Sequence, residues 1–422
     1  MLRPLKGFEK WWASDTTPEF LEFAVKFDDP KLVPIALENF KKLFCGTRLK
    51  IVNECYHKAD PFPITKLPNH IQNVEDATTW MIQNNVKPCS QIMTTFSVND
   101  TIIAGSTCHN TGSGGYVFNA VRHCLDDPKT LFSNGQQRVE IPTHTSEMYD
   151  DLIQAAIKSN PPILHSSELS EFSLDLKSPY LMPKGSPPIY LRTTLPASSL
   201  QCYDKIKKRP INLSNQIWTA FSLVHSAYGA KQQGKTTINR LSTSSVVDLD
   251  RMKFSRNKKI NWNSTNTVCS PNIYVDTTPN MTIEEIGIRF RKNHDLNEDN
   301  GAILWFTQGD TEFKPLGKCG NGVSNIGPIV MKNGLKDFYL QSFTPAPTTE
   351  TSLFFSTSSV ITKHRNDLKT CLRYQPTSIT RKTADIIKDS THFVLTQIPL
   401  KTRLKDAIKE VQDFQTMLEE EY

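Results

Sequence analysis

The sequence predicts an α+β protein built from two mixed halves, each a sheet with flanking helices. Extended apolar runs alternate with amphipathic helical patterns along all 422 residues. A stretch rich in proline and serine, Asn160 to Pro188, interrupts that alternation, and the same grammar restarts at Ile189. The length suits two domains of ordinary size. We therefore expect 1–170 as the N-terminal half, 171–188 as a crossover linker and 189–422 as the C-terminal half, with a binding cleft between the halves.

In the first half, Phe20 to Phe27 alternates as a strand with Phe23, Val25 and Phe27 on one face. Asp29-Pro30 fits an N-cap and first helical residue; Leu32, Ala36, Phe40, Leu43 and Phe44 form a helical stripe that Gly46 would end. A helix follows near Glu75 to Gln83. Gln91 to Val98 and Thr101 to Thr107 flank Asn99-Asp100 as a hairpin. Its second strand ends at Cys108-His109, and after a loop of small residues Val117, Val121 and Cys124 mark another helix. Glu147 to Lys158 predicts one more.

The second half opens with an extended Ile189 to Thr194 and a helix at Ser198 to Lys208. Ser214 precedes a longer helix carrying Ile217, Phe221, Val224 and Tyr228. Strands are expected at Thr236 to Leu249 and Ser270 to Val275. Thr282 and Glu285 spell a capping box ahead of Ile286 and Phe290. Further strands fall at Ile303 to Phe306, Ile329 to Val330, Phe338 to Ser342 and Ser352 to Ser359. Helices at Arg381 to Gln397 and Leu404 to Leu418 close the chain.

Composition narrows the function classes. No apolar run approaches the roughly 18 residues of a membrane span, and the first ten residues lack a signal-peptide core. A soluble cytoplasmic monomer is expected. The net charge of +6 is mild and forms no long basic block, so it does not argue for nucleic acid. Nine cysteines are scattered without a C-x-x-C pair, which points to reduced thiols and to no metal site. The basic residues Arg251, Lys253, Arg256, Lys258 and Lys259, with Lys205, Lys207, Lys208 and Arg209, could attract phosphate but read first as a solvated face.

The candidate site is the stretch from Cys108-His109 to Gly112-Ser113-Gly114-Gly115. A histidine stands here where a strand hands over to a helix, a position at which α/β folds place chemistry. The glycines let backbone approach a ligand closely, and without a G-K-[ST] ending the loop is no P-loop. The bland alternative is a polar strand end beside a glycine turn. His123, in His123-Cys124-Leu125-Asp126-Asp127, fits a bare H-x-x-x-D pattern but falls in the last turn of a helix, where histidines meet terminal carbonyls. His144, His165, His225 and His294 read as core or partly buried residues.

Several segments in fixed order resemble a known superfamily. Cys108-His109-Asn110-Thr111-Gly112-Ser113-Gly114 is similar to an H-H-x-x-x-D-G motif; Val323-Ser324-Asn325-Ile326-Gly327 is similar to an S-N-x-G element; Arg3-Pro4-Leu5 through Glu9 looks like an entry motif; Val247-Asp248-Leu249 matches a V-D-L-R context. Cys371-Leu372-Arg373-Tyr374 before the helix at Thr383 to Leu395 completes the set. Together they resemble the CoA-dependent acyltransferases that include chloramphenicol acetyltransferases, peptide-synthetase condensation domains and alcohol acetyltransferases. The resemblance implies two chloramphenicol-acetyltransferase-like halves with an active-site channel between them.

It also implies an activity: transfer of an acyl group, acetyl foremost, from acyl-CoA to the hydroxyl or amine of a small or lipid-like acceptor. His109 is then the general base, a task suited to imidazole. Cys108, Ser113, Gly114, Gly115, Ser324, Asn325 and Gly327 support it, and Ser113 or the amides of Gly114 and Gly115 could face the oxyanion. Acyl-CoA enters as co-substrate, with no tightly bound cofactor and no metal. Two departures stand out. Cys108 replaces the first histidine, and Ser113 replaces an aspartate that in the family pairs with an arginine. The alternatives are a catalytically impaired binding protein with the same cleft, or a standalone condensation domain using a carrier-protein thioester.

Overall fold

The computed structural model describes residues 2–13, 19–61, 63–131, 140–159, 171–174, 188–253, 262, 268–305, 320–332, 334–343, 353–376 and 378–422. It is a mixed α/β fold in two lobes. A five-stranded sheet runs in the order Leu335–Phe343, Phe20–Phe27, Ile102–Cys108, Thr94–Val98 and Thr65–Lys66. A seven-stranded sheet has the path Val268–Cys269, Arg240–Asp248, Asn321–Val330, Leu353–Ile361, Asn366–Tyr374 and Ile189–Pro196, with Asn272–Asp276 also on Arg240–Asp248. Its three central strands are parallel.

The hairpin before His109 forms as its pattern predicts. Asn99 Oδ1 accepts from the amides of Thr101 and Ile102, which closes the turn. Every residue of Ile102–Cys108 is buried, because helix Val74–Asn84 covers one face and the Phe23, Phe40, Phe44 and Phe96 cluster the other. Asn73 caps that helix through Asp76 N, and the Thr282–Glu285 box forms both of its bonds ahead of Ile283–Asp299.

One strand crosses the sequence division. Leu335–Phe343 pairs antiparallel with Phe20–Phe27 and so completes the sheet that carries the histidine loop. Buried polar ties also join the lobes. Lys369 Nζ meets Glu75 at 2.6 Å and Asp337 at 2.9 Å, and Arg192 donates to Gln341 and Thr79.

Some local expectations change. Helix Leu32–Leu43 starts after Pro30 without a side-chain cap, and ends at Phe44, leaving Gly46 in a 3-10 turn packed against Thr94. Ser198 to Lys208 is a 3-10 turn and a small hairpin, because Asp204 Oδ1 captures the amides of Ile206 and Lys207. Ile303 heads no strand: Ala302–Trp305 is a helical turn, and Phe306 lies outside the described residues, as do most of 171–188. The eight described cysteines are all buried thiols. Among the described residues no helix is long and apolar enough to cross a membrane.

Candidate active site

A cavity of about 320 Å³ opens between the lobes and brings together segments far apart in sequence. Of the residues expected as base and motif support, His109, Ser113, Gly114, Gly115, Ser324 and Asn325 line it, as do Val247, Asp248, Arg251 and Arg373 from the other quoted segments. Cys108 and Gly327 do not. Cys108 is fully buried behind the loop, and Gly327 lies against Arg251.

His109 follows directly from the strand and opens a 3-10 turn, His109–Thr111. Its backbone amide donates to Glu19 O at 2.8 Å, extending the sheet pairing by one bond. The imidazole is 7% exposed and stacks on Trp12, centroids 4.6 Å apart and planes 18° from parallel. This face-to-face contact holds the ring plane. Asn110 Nδ2 donates to Glu9 O at 2.8 Å, and Thr111 Oγ1 to Cys108 O at 3.1 Å. Each residue of the turn is thereby tied to a neighbour.

Ser113 serves as N-cap of helix Gly114–His123, its Oγ accepting from Tyr116 N at 3.1 Å. The space beside Gly115 holds the Asp248 carboxylate: a Cβ built on Gly115 would lie 1.8 Å from Asp248 Oδ2. A carboxylate against this helix start repels a developing oxyanion, so the Gly115 side of the loop is unsuited to oxyanion binding.

The Ser324-Asn325-Ile326-Gly327 element is a bulge inside strand Asn321–Val330 rather than a free turn. Asn325 Oδ1 accepts from Gly327 N and from Thr357 Oγ1, both at 3.1 Å, and its Nδ2 donates to Ser214 at 2.9 Å. Gly327 sits at φ 89°, where glycine is favoured. The bulge turns Ser324 and Asn325 toward the cavity.

The remaining wall carries Arg373, from the quoted Cys371–Tyr374 segment, and several residues that the motifs did not point to. Beside His109 are Glu19 and Arg373, 3.8 Å apart and largely buried. Elsewhere on the wall Trp218 stacks on His294 at 5.4 Å, with the Arg291 guanidinium 4.7 Å from the indole centre. Burial, with Arg291 nearby, pushes the His294 pKa down to about 4, so this ring is neutral at physiological pH. Read from sequence as a core histidine, His294 is buried and yet borders the cavity. His294, Asp295 and Glu298 bring one ligand atom each within 4.8 Å of one another. Their contacts to Arg291 and to the Lys253 amide fit an ion-pair and hydrogen-bond network.

The rival histidines stand elsewhere. His123 Nδ1 is 2.5 Å from Asp126, at its helix end and off the cavity. His225 is core, its Nδ1 3.2 Å from Asn321 Nδ2; His144 is buried, and His165 lies outside the described residues. Lys205, Lys207, Lys208 and Arg209 are exposed and line no part of the cavity. Lys253 pairs with Asp299 at 2.7 Å. Arg256, Lys258 and Lys259 lie outside the described residues.

No family model matches the chain, and no curated protein matches it. Solved structures do. The starter condensation domain of rhizomide synthetase, in complex with C8-CoA and Leu-SNAC, superimposes with a TM-score of 0.61 at 11% identity over 95% of this chain and 96% of its own. Polyketide synthase associated protein 5 from Mycobacterium tuberculosis gives 0.59 at 12% identity over 90% and 94%. The epimerization domain from the third module of tyrocidine synthetase B gives 0.52 at 12% identity over 98% and 97%.

Proposed function

With the whole chain sharing the two-lobed fold of condensation domains, we propose that it is an acyltransferase. It moves an acyl group, acetyl foremost, from acyl-CoA to the hydroxyl or amine of a small or lipid-like acceptor, with His109 as general base. The observation that carries this reading is the buried imidazole of His109, stacked on Trp12, on the wall of an inter-lobe cavity that Ser324 and Asn325 also line. The presence of C8-CoA in the rhizomide synthetase domain supports a thioester donor.

The step balances simply. One ring nitrogen of His109 takes the proton from the acceptor O–H or N–H as the oxygen or nitrogen attacks the thioester carbon. The tetrahedral intermediate collapses with cleavage of the C–S bond. The proton passes to the departing sulfur, giving an ester or amide and free CoA. Ser324, Ser342 and Ser356 line the same cavity, and their hydroxyls are candidates to meet the oxyanion. The serine at 113 does not by itself argue for a dead enzyme, because it holds the helix start that the loop needs.

The test is thiol release from an acyl-CoA series against a panel of alcohols and amines. Wild-type protein should release thiol and form product, and His109→Ala should lose at least about a hundredfold, the usual weight of a general base. Binding of acyl-CoA without turnover would instead favour the impaired binding protein. Turnover only with a carrier-bound thioester would favour the standalone condensation domain.

A further inference from the structure

We propose that Asp248 anchors the histidine loop, supplying from the second half of the chain the carboxylate that position 113 lacks. Asp248 is a positioning residue, and its bearing on turnover rests on the reading of His109 given above.

Five contacts, two of Asp248 with its surroundings and three of Arg251, carry the inference. Asp248 is the last residue of strand Arg240–Asp248, and its Oδ1 accepts from Asp250 N at 3.1 Å, which fixes the carboxylate plane. Its Oδ2 then points at the second residue of helix Gly114–His123, in the volume that a Cβ on Gly115 would fill, 1.8 Å away. A negative group at a helix N-terminus meets its unpaired amides and the positive end of its dipole. Only glycine at 115 permits so close an approach, and the glycine has no positive φ to explain it otherwise.

Arg251 carries the anchor onward. Its Nε lies 3.3 Å from Asp248 Oδ2, its Nη1 donates to Ile326 O at 2.5 Å, and its guanidinium sits 5.6 Å from the ring centre of Phe118 on the loop helix. One arginine thus joins the helix after His109, the anchoring carboxylate and the bulge that presents Ser324 and Asn325. The N-terminal Arg3 is committed to Glu9. An aspartate at 113 is therefore not missing a partner here; the acid and its arginine stand at 248 and 251.

The experiment is a set of variants read by steady-state kinetics and thermal unfolding. Asp248→Asn should lower kcat by about ten- to a hundredfold with KM within about threefold, since a small displacement of a reacting group costs rate rather than binding. Gly115→Ala should lower the melting temperature in the native background but not in Asp248→Ala, where the obstructing carboxylate is gone. Ser113→Asp should lower both rate and melting temperature alone, through two carboxylates at one helix end, yet restore both in part when combined with Asp248→Ala. Additive melting shifts in the Gly115–Asp248 pair overturn the proposal, as does wild-type kcat in Asp248→Asn. Should the wild-type protein transfer no acyl group, the acyltransferase reading falls. The melting cycle and the Ser113→Asp rescue then still decide whether Asp248 holds the loop.

Discussion

The guanidinium of Arg3 grips both carboxylate oxygens of Glu9, Nη1 to Oε2 at 2.8 Å and Nη2 to Oε1 at 2.6 Å. Glu9 Oε1 also accepts from Tyr56 Oη at 2.9 Å, and the Glu9 carbonyl accepts from Asn110, the residue after His109. The ion pair is nearly dry, with side chains 15% and 4% exposed. Removing one partner of such a pair strands the other charge, so Glu9→Ala should cost about 3–5 kcal/mol in urea unfolding. Combining it with Arg3→Ala should cost less than the sum of the single changes. Strict additivity would show that the two side chains do not act as a pair.

Ser113→Ala removes the oxygen that receives Tyr116 N–H. Loss of such a cap costs about 1 kcal/mol. The helix it caps carries Tyr116, Val117, Phe118 and Val121 into the core, so the loss should appear as a lowered midpoint in global unfolding. An unchanged midpoint would mean that the hydroxyl contributes no cap.

At Gly327 a side chain meets two obstacles. The backbone stands at φ 89°, and a Cβ would lie 3.1 Å from Arg251 Nη1. Gly327→Ala should destabilise by roughly 1–2 kcal/mol from backbone strain alone. It should also weaken acyl transfer by pushing Arg251 from Ile326 O. Full stability in this variant would argue against the bulge between Asn325 and Gly327.

Stability should peak near pH 6.5, from three buried groups. Burial raises the Glu22 carboxyl to about 8, partly opposed by the Ser106 hydroxyl at 2.8 Å. The folded state therefore holds this proton more tightly than the unfolded chain, and stability falls as pH rises from about 4.5 to 8. Burial lowers His294 and His392 to about 4, so the unfolded chain binds those protons first and stability falls as pH drops below 6.5. Between about 4.5 and 6.5 the two histidines outweigh the single carboxyl. Melting curves from about pH 5 to 8 test this, below the range in which the buried thiols titrate, and Glu22→Gln should flatten the limb between about 6.5 and 8, worth about 1.4 kcal/mol per pH unit where one proton is linked. An alkaline limb unchanged in Glu22→Gln would sink the assignment.

Local patterning accounts for much of the fold's legibility. The hairpin 94–108, helix Val74–Asn84, the capping box at Thr282 and the two final helices follow from short-range rules: turn residues, caps and apolar period. The same rules failed at Ile303, because a short apolar run fits strand and helix equally, and at Ser198 to Lys208, where a side chain captured backbone amides. Of the site, His109 and the Ser324-Asn325 element were legible through motif order. Glu9 and Asp248 stood inside quoted motifs, but their partners did not show.

The sequence by itself determined that a buried strand delivers His109 into a glycine turn and a capped helix, since each of those signals acts within a few residues. Tertiary structure alone decided that Leu335–Phe343 joins the first sheet, that Trp12 stacks on the imidazole, and that Asp248 lies against Gly115. Those pairings join residues far apart in sequence. Contacts of that kind depend on how whole sheets and helices pack, and on the space that a missing side chain leaves open, neither of which a local pattern encodes.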